Sequence, residues 1–309
     1  MPTPMTAADK ARFVLPILRS VWDQEANAVL SPSMQFFGLR NSTAAAEYSQ
    51  GLGSSGLVPE YNSASAEGQG ATLPFDTFQE LYEKTFTHKE YADAMAIERK
   101  LFDNDQSGLI RSKISDFSNK YARTRAYHAA SVFNNAFSAS YVGSDAVALC
   151  SASHPVNKVS STNFSNAGTT ALSYSSVVST IIAGQSLDDD RGNPMPAIYN
   201  VLYVPVALQA TAYEITKALA KPGTADNDAN FLSSAGLSVV VDPWLSDANN
   251  WFMLDSNQAK NHLLWYNRVM PEFEASPSNV FDLVFKYRGY MSYSFGWDDA
   301  RWVFGHAVA

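Results

Sequence analysis

The pattern that most constrains the fold is a run of alternating apolar residues near the end of the chain, residues 281–297. One side of the run carries Phe281, Leu283, Phe285, Tyr287, Met291, Tyr293, Phe295 and Trp297, and the other carries Lys286, Arg288, Ser292 and Ser294. Alternation with a period of two is typical of a strand with one buried side. Strands usually have about 5–6 residues. The run therefore predicts either one very long strand or two strands joined at Gly289, with a last strand in residues 300–308.

A long amphipathic helix is predicted for residues 107–133. Its apolar face is formed by Ile110, Ile114, Phe117, Tyr121, His128 and Val132. At 1.5 Å per residue this helix is about 40 Å long. Because His128 shares the apolar face, we expect it to be a hydrogen-bonded core residue and not a metal ligand. A second helix is predicted for residues 7–25, with Phe13, Ile17, Leu18 and Val21 at helical spacing.

Helices and short strands alternate over residues 140–270. Thr170 is expected to open a helix, and Pro205 suits the first turn of another. Strands are predicted for residues 200–204, 237–242, 251–254 and 262–266. Together with the C-terminal run, this order indicates an α+β fold.

Residues 41–73 are low in complexity and are dominated by Gly, Ser and Ala. Such a segment cannot bury enough apolar area to fold alone. A structureless stretch of this length is also unusual inside a compact domain. We therefore expect either a disordered loop or a segment held by another subunit. Residues 76–104 are ambiguous from periodicity alone, because good helix formers coincide with Tyr91, Met95, Ile97 and Leu101 on one side of a strand pattern.

The composition leaves two interpretations open. Hydrophobic residues make up 46% of the 309 residues, whereas only 17% are charged. A chain poor in charge and rich in aromatic residues either has a large core or buries surface in partners. The net charge of −8 argues against tight binding of nucleic acid, which requires Lys and Arg on the phosphates. The negative net charge is compatible with a protein that encloses nucleic acid without binding it tightly.

Targeting signals and cysteine pairs are not found. The first residues lack a cationic segment followed by an apolar run, and no stretch reaches the roughly 18 apolar residues that would span a bilayer. The single cysteine, Cys150, allows no intramolecular disulfide. These features predict synthesis in the cytoplasm and no membrane partner.

Enzyme chemistry finds little support in the sequence. The GxGxxG match at 51–56 follows a polar coil and precedes Pro59, so it predicts a flexible loop and not a dinucleotide site. Asp188, Asp189 and Asp190 lie in LDDDRGNP, which is typical of a solvated turn, with an inter-subunit salt bridge or a bound ion as the alternatives. Cys150 and His154 are close in sequence, but a nucleophile also needs an orienting third group and an oxyanion hole, and no motif around Cys150 supports such a site. The five histidines show no paired ligand spacing. We predict no catalytic, cofactor-binding or metal-binding residues.

Four segments in order resemble the major head proteins of tailed bacteriophages, especially the Mu-like group. These are residues 84–108, 148–180 (with the SxxHP stretch before a helix), 199–215 (a strand, VP and a helix) and 237–256 (a strand, an acidic turn and a strand ending in Asp). The low-complexity loop departs from the commoner pattern.

The resemblance implies a Hong Kong 97-type capsid fold with five segments. Residues 1–44 would be the N-terminal arm and 45–92 the extended β-hairpin loop. Residues 93–140 would form the peripheral domain with its long spine helix, 141–274 the axial α/β domain, and 275–309 the return strands of the peripheral domain. The resemblance also favours a strand over a helix for residues 91–101.

The implied function is self-assembly. Subunits would form pentamers and hexamers that close into an icosahedral head around phage double-stranded DNA, without sequence-specific binding. Portal, scaffold and possibly decoration proteins would be partners. The expected inter-subunit contacts are Phe13, Ile17 and Val21 in the arm, Tyr48, Leu57 and Tyr61 in the loop, and Asp188, Asp189, Asp190 and Arg191.

Two alternatives stay open from the sequence. One is an encapsulin-type compartment of the same fold with a protein cargo, and the other is a cytoplasmic α/β hydrolase or oxidoreductase with an unrecognised site.

Overall fold

A computed structural model describes residues 18–58, 75–76, 79–98, 100–101, 108–159, 162–220, 229–275 and 284–309. Its strands are β1 Gly38–Asn41, β2 Ala46–Leu52, β3 Glu80–Thr87, β4 Lys89–Glu98, β5 His154–Pro155, β6 Asn163–Phe164, β7 Ala167–Gly168, β8 Val201–Pro205, β9 Ser238–Asp242, β10 Trp251–Leu254, β11 Leu263–Ala275, β12 Val284–Trp297 and β13 Val303–His306. Its helices are α1 (18–26), α2 Leu109–Asn134, α3 Tyr174–Gln185, α4 Gln209–Lys217, α5 Phe231–Ser234 and α6 Ser256–His262. Short 3-10 turns cover Pro32–Phe36 and Val206–Leu208.

The C-terminal apolar run lies in a four-stranded sheet of order β1-β11-β12-β4. β12 is one continuous strand of 14 residues, which decides between the two predicted alternatives, although Phe281 and Leu283 lie outside the described residues. The short strand expected at 262–266 is wrong in extent, because β11 continues to Ala275. It extends because β12 offers an antiparallel partner along the whole length.

Gly289 is inside β12, where its missing side chain lets two aromatic rings approach the strand. A Cβ atom at this position would lie 2.5 Å from both Trp22 Cη2 and the Tyr121 hydroxyl. Trp22 is fully buried, stacks on Phe273 at 5.2 Å and donates from Nε1 to the Pro271 carbonyl at 3.1 Å. Helix α1 is thereby fastened to the four-stranded sheet.

Helix α2 confirms the predicted long helix within one or two residues at each end. It begins after Gly108, whose positive φ of 72° suits a residue without a side chain, and one face is buried along its length. His128 Nδ1 lies 2.7 Å from the Tyr293 hydroxyl, so His128 is hydrogen-bonded as predicted, although its side chain is half-buried and not fully inside the core. The C-terminal half of α2 reaches the second sheet, where Phe133 contacts Tyr203 and Phe252.

The second sheet has five strands in the order β7-β13-β10-β8-β9. Strands β8 and β10 are buried on both faces, since one face packs with α2 and the other is covered by α3, α4 and α5. Helix α3 starts at Tyr174 and not at Thr170, because the Ser173 side chain forms a capping box with Ser176. The helix expected after Pro205 begins with a 3-10 turn and continues as α4.

Strand pairing crosses the predicted border between the axial segment, 141–274, and the return segment, 275–309. β11 comes from the axial segment but lies in the sheet with β12 and β4. β13 comes from the return segment but pairs with β10 and β7. The five-segment subdivision stays a prediction. A subdivision by sheets would instead place β11 with the peripheral strands and β13 with the axial strands.

The ambiguous region and part of the low-complexity segment form strands. β2 pairs antiparallel with β3 in a two-stranded ribbon. β4 pairs with β12 over its whole length, so the long-range partner outweighs the local helix propensity. Leu101 lies beyond β4 in a helical position. The disordered-loop alternative for the low-complexity segment is thus wrong for residues 46–52.

His306 is buried between the second sheet and α3. Its ring stacks on Trp251 at 4.0 Å, Nδ1 lies 3.0 Å from Thr170 Oγ1, and Nε2 lies 2.9 Å from Thr180 Oγ1. Burial lowers its pKa to about 4. The neutral ring is therefore favoured in the folded subunit.

The low pKa of His306 predicts an acid-dependent loss of stability. The pKa is about 4 in the folded chain and about 6.5 when unfolded. The contribution of neutral His306 to the free energy of unfolding is fully present above the unfolded pKa. As the pH falls from about 6.5 through 4, about 2–3 kcal/mol of this free energy is lost. Urea unfolding of unassembled subunits at pH 7 and pH 4.5 should show this drop, and His306→Gln should reduce it. Equal pH dependence in both proteins would contradict the assignment to His306.

Candidate subunit interface

The ribbon formed by β2 and β3 has one face directed at its own subunit. Ser49 Oγ donates to Asp298 at 2.6 Å, and the Tyr82 hydroxyl donates to the Asn157 carbonyl at 3.1 Å. Lys84 Nζ donates to the Val142 carbonyl at 2.7 Å. Burial lowers the pKa of Lys84, while nearby Asp145 opposes the shift. These contacts attach the ribbon to three separate places of the chain.

The end of β2 is held by the aspartate-rich turn at 188–191. Ser54 Oγ donates to Asp189 at 2.8 Å and its backbone N–H donates to Asp190 at 2.8 Å. Arg191 Nη1 forms an ion pair with Asp76 at 2.7 Å. Burial alone would raise the pKa of Asp189, but hydrogen bonds from Asn193, Ser54 and Arg191 lower it to about 2. The solvated-turn interpretation is wrong for Asp189, which is buried and has partners within its own chain.

The glycines of the rejected nucleotide fingerprint lie at this same contact. A Cβ on Gly53 would lie 2.7 Å from Asp190 Oδ2, and one on Gly56 would lie 2.9 Å from Arg191 Nη1. Gly51 and Leu52 are in β2, and no helix follows within the described residues up to Val58. These glycines therefore allow close approach to the acidic turn, and nothing in the described part resembles a phosphate loop.

The other face of the ribbon is exposed. Tyr48 and Leu52 of β2 are 68% and 67% exposed, and Glu83 and Glu80 lie across from this side in β3. The apolar exposure continues beyond the ribbon at Leu57, Val58 and Phe75. An apolar surface of this extent on a two-stranded ribbon is typical of an interaction site.

The sequence-predicted contact residues fall into three groups. Phe13, Ile17 and Tyr61 lie outside the described residues. Tyr48 and Leu57 are exposed and available to a partner. Val21 is only 7% exposed within its own subunit, and its contact with a neighbouring subunit stays a prediction. Its helix packs inward because Leu18, Trp22 and Ala26 occupy the core beside it. A role of Asp188–Arg191 between subunits stays a prediction.

The residues weighed for catalysis are parts of the core. Burial raises the pKa of the Cys150 thiol, although a backbone hydrogen bond at Gly305 opposes this, so a reactive thiolate is disfavoured. His154 is fully buried, and its Nδ1 lies 2.6 Å from Asp145 Oδ2. Among the described residues, no group of three or more His, Cys, Asp or Glu side chains is arranged to hold a metal ion.

Several residues that attach the ribbon to its own subunit, or lie beside that attachment, had no signal in the sequence. Ser49, Ser54 and Lys84 are ordinary polar residues of strands and loops, and their partners lie far away in the chain. His262, which bonds Asp298 at 2.9 Å beside Ser49, was also missed. Burial lowers the pKa of His262, but Asp298 and Asp299 raise it overall. Only the topology brings these groups together.

The helices of the described ranges include none that is both long enough and apolar enough to cross a bilayer.

The architecture is that of solved phage shell subunits. A structure from Microbacterium phage Oxtober96 is similar over 99% of this chain and 100% of that chain, with 12% identity and a TM-score of 0.53. The capsid structure of the cyanophage P-SCSP1u matches over 90% and 88%, with 13% identity and a TM-score of 0.55. The capsid of a native GTA particle matches over 92% of both chains, with 15% identity and a TM-score of 0.53. The fold is therefore the Hong Kong 97-type fold of capsid subunits.

The sequence itself gives the family. A profile of the family described as "Phage capsid protein" matches residues 82–305, which is more than half of the chain. No curated protein matches. The chain belongs to this phage capsid family and is a major capsid protein, a structural component of the virion that forms the phage head. Closeness to the Mu-like group stays a prediction.

Proposed function

We propose that the subunit acts by ordered self-assembly and without catalysis. Pentamers and hexamers of the chain close into an icosahedral shell that encloses double-stranded DNA, with portal, scaffold and possibly decoration proteins as partners. The observation that carries this proposal is the exposed apolar face of the β2–β3 ribbon, whose other face is fastened to its own subunit. A monomer has no use for such a surface, whereas a lattice covers it.

The net charge of the chain supports enclosure of DNA without tight binding. A shell built from subunits that each carry a net charge of −8 does not attract DNA phosphates over its whole surface. Stability of the shell then comes from many modest contacts between subunits, in heterologous interfaces that close rings.

Electron microscopy and sedimentation of the purified chain test the proposal. Closed shells, or rings of five and six subunits, are the expected result. Their nucleic acid or protein content distinguishes a phage head from a cargo compartment. A homogeneous monomer or dimer at high concentration, also with the scaffold partner present, would contradict self-assembly and favour the enzyme alternative.

A further inference from the structure

A cavity of about 250 Å³ lies between the β2–β3 ribbon and the body of the same subunit. Gln50, Leu52 and Tyr82 of the ribbon form part of its lining, and Trp297 and Arg301 of the body form another part. Because one water occupies about 30 Å³, the cavity has room for several waters or for one small organic molecule.

The three carboxylates that line the cavity already have basic partners. The pairs and their closest approaches are Asp145 with His154 (2.6 Å), Asp298 with His262 (2.9 Å) and Asp299 with Arg301 (2.8 Å). The described lining therefore offers no unpaired carboxylate to a cation, which agrees with the lack of a metal-binding group among the described residues.

Two buried N–H groups of the lining have no hydrogen-bond partner among the described residues. They are Nε1 of Trp297 and Nε of Arg301, in residues that are only 6% and 8% exposed. The indole nitrogen lies close to the acidic part of the lining, since a Cβ on Gly143 would be 2.6 Å from Trp297 Nε1 and 3.1 Å from Asp145 Oδ1. Buried N–H groups nearly always have an acceptor, and leaving one without it is unfavourable. The cavity therefore needs an occupant that supplies hydrogen-bond acceptors.

The charges of the lining favour a neutral occupant. An anion would accept from both N–H groups but would lie near three carboxylates. A hydroxyl group also accepts from an N–H, and it donates to the second lone pair of a carboxylate oxygen that is already paired. Leu52, Leu81 and Pro155 add apolar surface to the same lining. A small ring that carries several hydroxyl groups combines the acceptors, the donors and the apolar edges that these residues require.

We propose that this cavity binds a small neutral polyhydroxyl compound, one sugar ring in size, whose oxygens accept hydrogen bonds from Trp297 Nε1 and Arg301 Nε. The ligand then contacts both the ribbon and the body, so that it holds the ribbon against its own subunit. This inference goes beyond the proposed function and does not depend on it. Assembly of shells is measured separately, so that either proposal can fail without the other.

Titration calorimetry of unassembled subunits with methyl α-D-glucoside tests the site. We expect one site with a dissociation constant on the order of 1 mM, the scale for a ligand of about 13 non-hydrogen atoms. Trp297→Phe and Arg301→Lys each remove one of the two N–H groups and should weaken binding by about fivefold. Circular dichroism and melting show whether each variant folds. If Trp297→Phe does not fold, Arg301→Lys decides.

Trp244→Phe and Arg123→Lys are the matched controls, because neither residue lines the cavity. Both should bind the glucoside like the wild type. Equal affinity in the wild type and in the two cavity variants would place the ligand elsewhere and overturn the proposal. Saturation by sodium acetate and not by the glucoside would overturn the neutral class. If neither compound saturates the subunit, water alone fills the cavity and the proposal is wrong.

Amide hydrogen exchange gives a second readout that a merely structural role of the two residues does not change. The saturating glucoside should slow exchange at residues 50–52 and 81–82 of the ribbon, and Arg301→Lys should reduce this protection. Unchanged exchange in the ribbon would contradict binding between ribbon and body. Maltotriose distinguishes two sources of the ring. Binding as tight as that of the glucoside supports a glycan chain, and exclusion of maltotriose supports a free sugar.

Discussion

Deletion of residues 51–70 is expected to leave a subunit that folds but assembles with a yield lower by about tenfold, because the exposed contacts that it removes are proposed to lie between subunits and to act cooperatively over the lattice. The deletion removes Leu57 and Val58, which are 81% and 95% exposed, so the core loses little apolar burial. It also removes Ser54, the residue that bonds Asp189 and Asp190. The ribbon then loses its fastening at the acidic turn.

Three variants, the deletion and two point variants, separate the loss of the fastening at the acidic turn from the loss of apolar contact. Sedimentation and electron microscopy measure assembly, and thermal unfolding of subunits measures folding. Ser54→Ala removes only the side-chain hydrogen bonds to Asp189 and Asp190, keeps the backbone bond to Asp190, and should assemble with a smaller deficit than the deletion. Leu57→Ser with Val58→Ser removes apolar contact alone. Normal shells from the deleted chain would show that this segment does not clamp neighbours, and an unfolded deletion variant would leave the two point variants to decide.

Asp242→Ala lowers the free energy of unfolding by about 3–5 kcal/mol, since it leaves buried donors without an acceptor. Asp242 is fully buried at the end of β9. Its Oδ2 accepts hydrogen bonds at 2.7 Å from both Ser31 Oγ and the Tyr203 hydroxyl, and its Oδ1 accepts from the Trp244 backbone at 2.8 Å. One carboxylate thus joins the segment before β1, strand β8 and the loop after β9.

Urea unfolding followed by tryptophan fluorescence measures this loss. Asp247→Ala is the matched control, because Asp247 also caps a turn through backbone N–H groups but is exposed. It should cost less than about 1 kcal/mol. A loss of that small size for Asp242→Ala as well would mean that the buried network does not depend on the carboxylate.

The elements that the sequence predicted best are those with a clear period over many residues. The helix at 107–133 and the strands at 200–204, 237–242 and 251–254 correspond to α2, β8, β9 and β10. Their periodicity reflects which face is buried, and burial is the largest contribution to their stability. The region 76–104 was ambiguous locally, and the strand that the resemblance favoured for residues 91–101 is confirmed up to Glu98, whereas Lys100 and Leu101 are helical.

The contacts that attach the ribbon could not be predicted. Ser49 and Asp298 are 249 residues apart, and Ser54 and Asp190 are 136 apart. Polar residues in a turn look alike whether they are solvated or buried, so Asp189 was interpreted as solvated. The extent of β11 was missed for a related reason, because polar residues beyond Tyr266 hide a strand that is stabilised by its partner β12.

By itself, the sequence determined the α+β class, the long helix, the β character of the terminal apolar run and, through resemblance, the phage capsid family. The tertiary structure alone decided that Gly289 is needed for the approach of Trp22 and Tyr121, that β11 and β13 exchange sheets relative to their order in the chain, and that the ribbon has one fastened and one exposed face. The physical reason is that local periodicity records only which side of an element is buried. Which element lies on that side depends on packing and hydrogen bonds between residues that are distant in the chain.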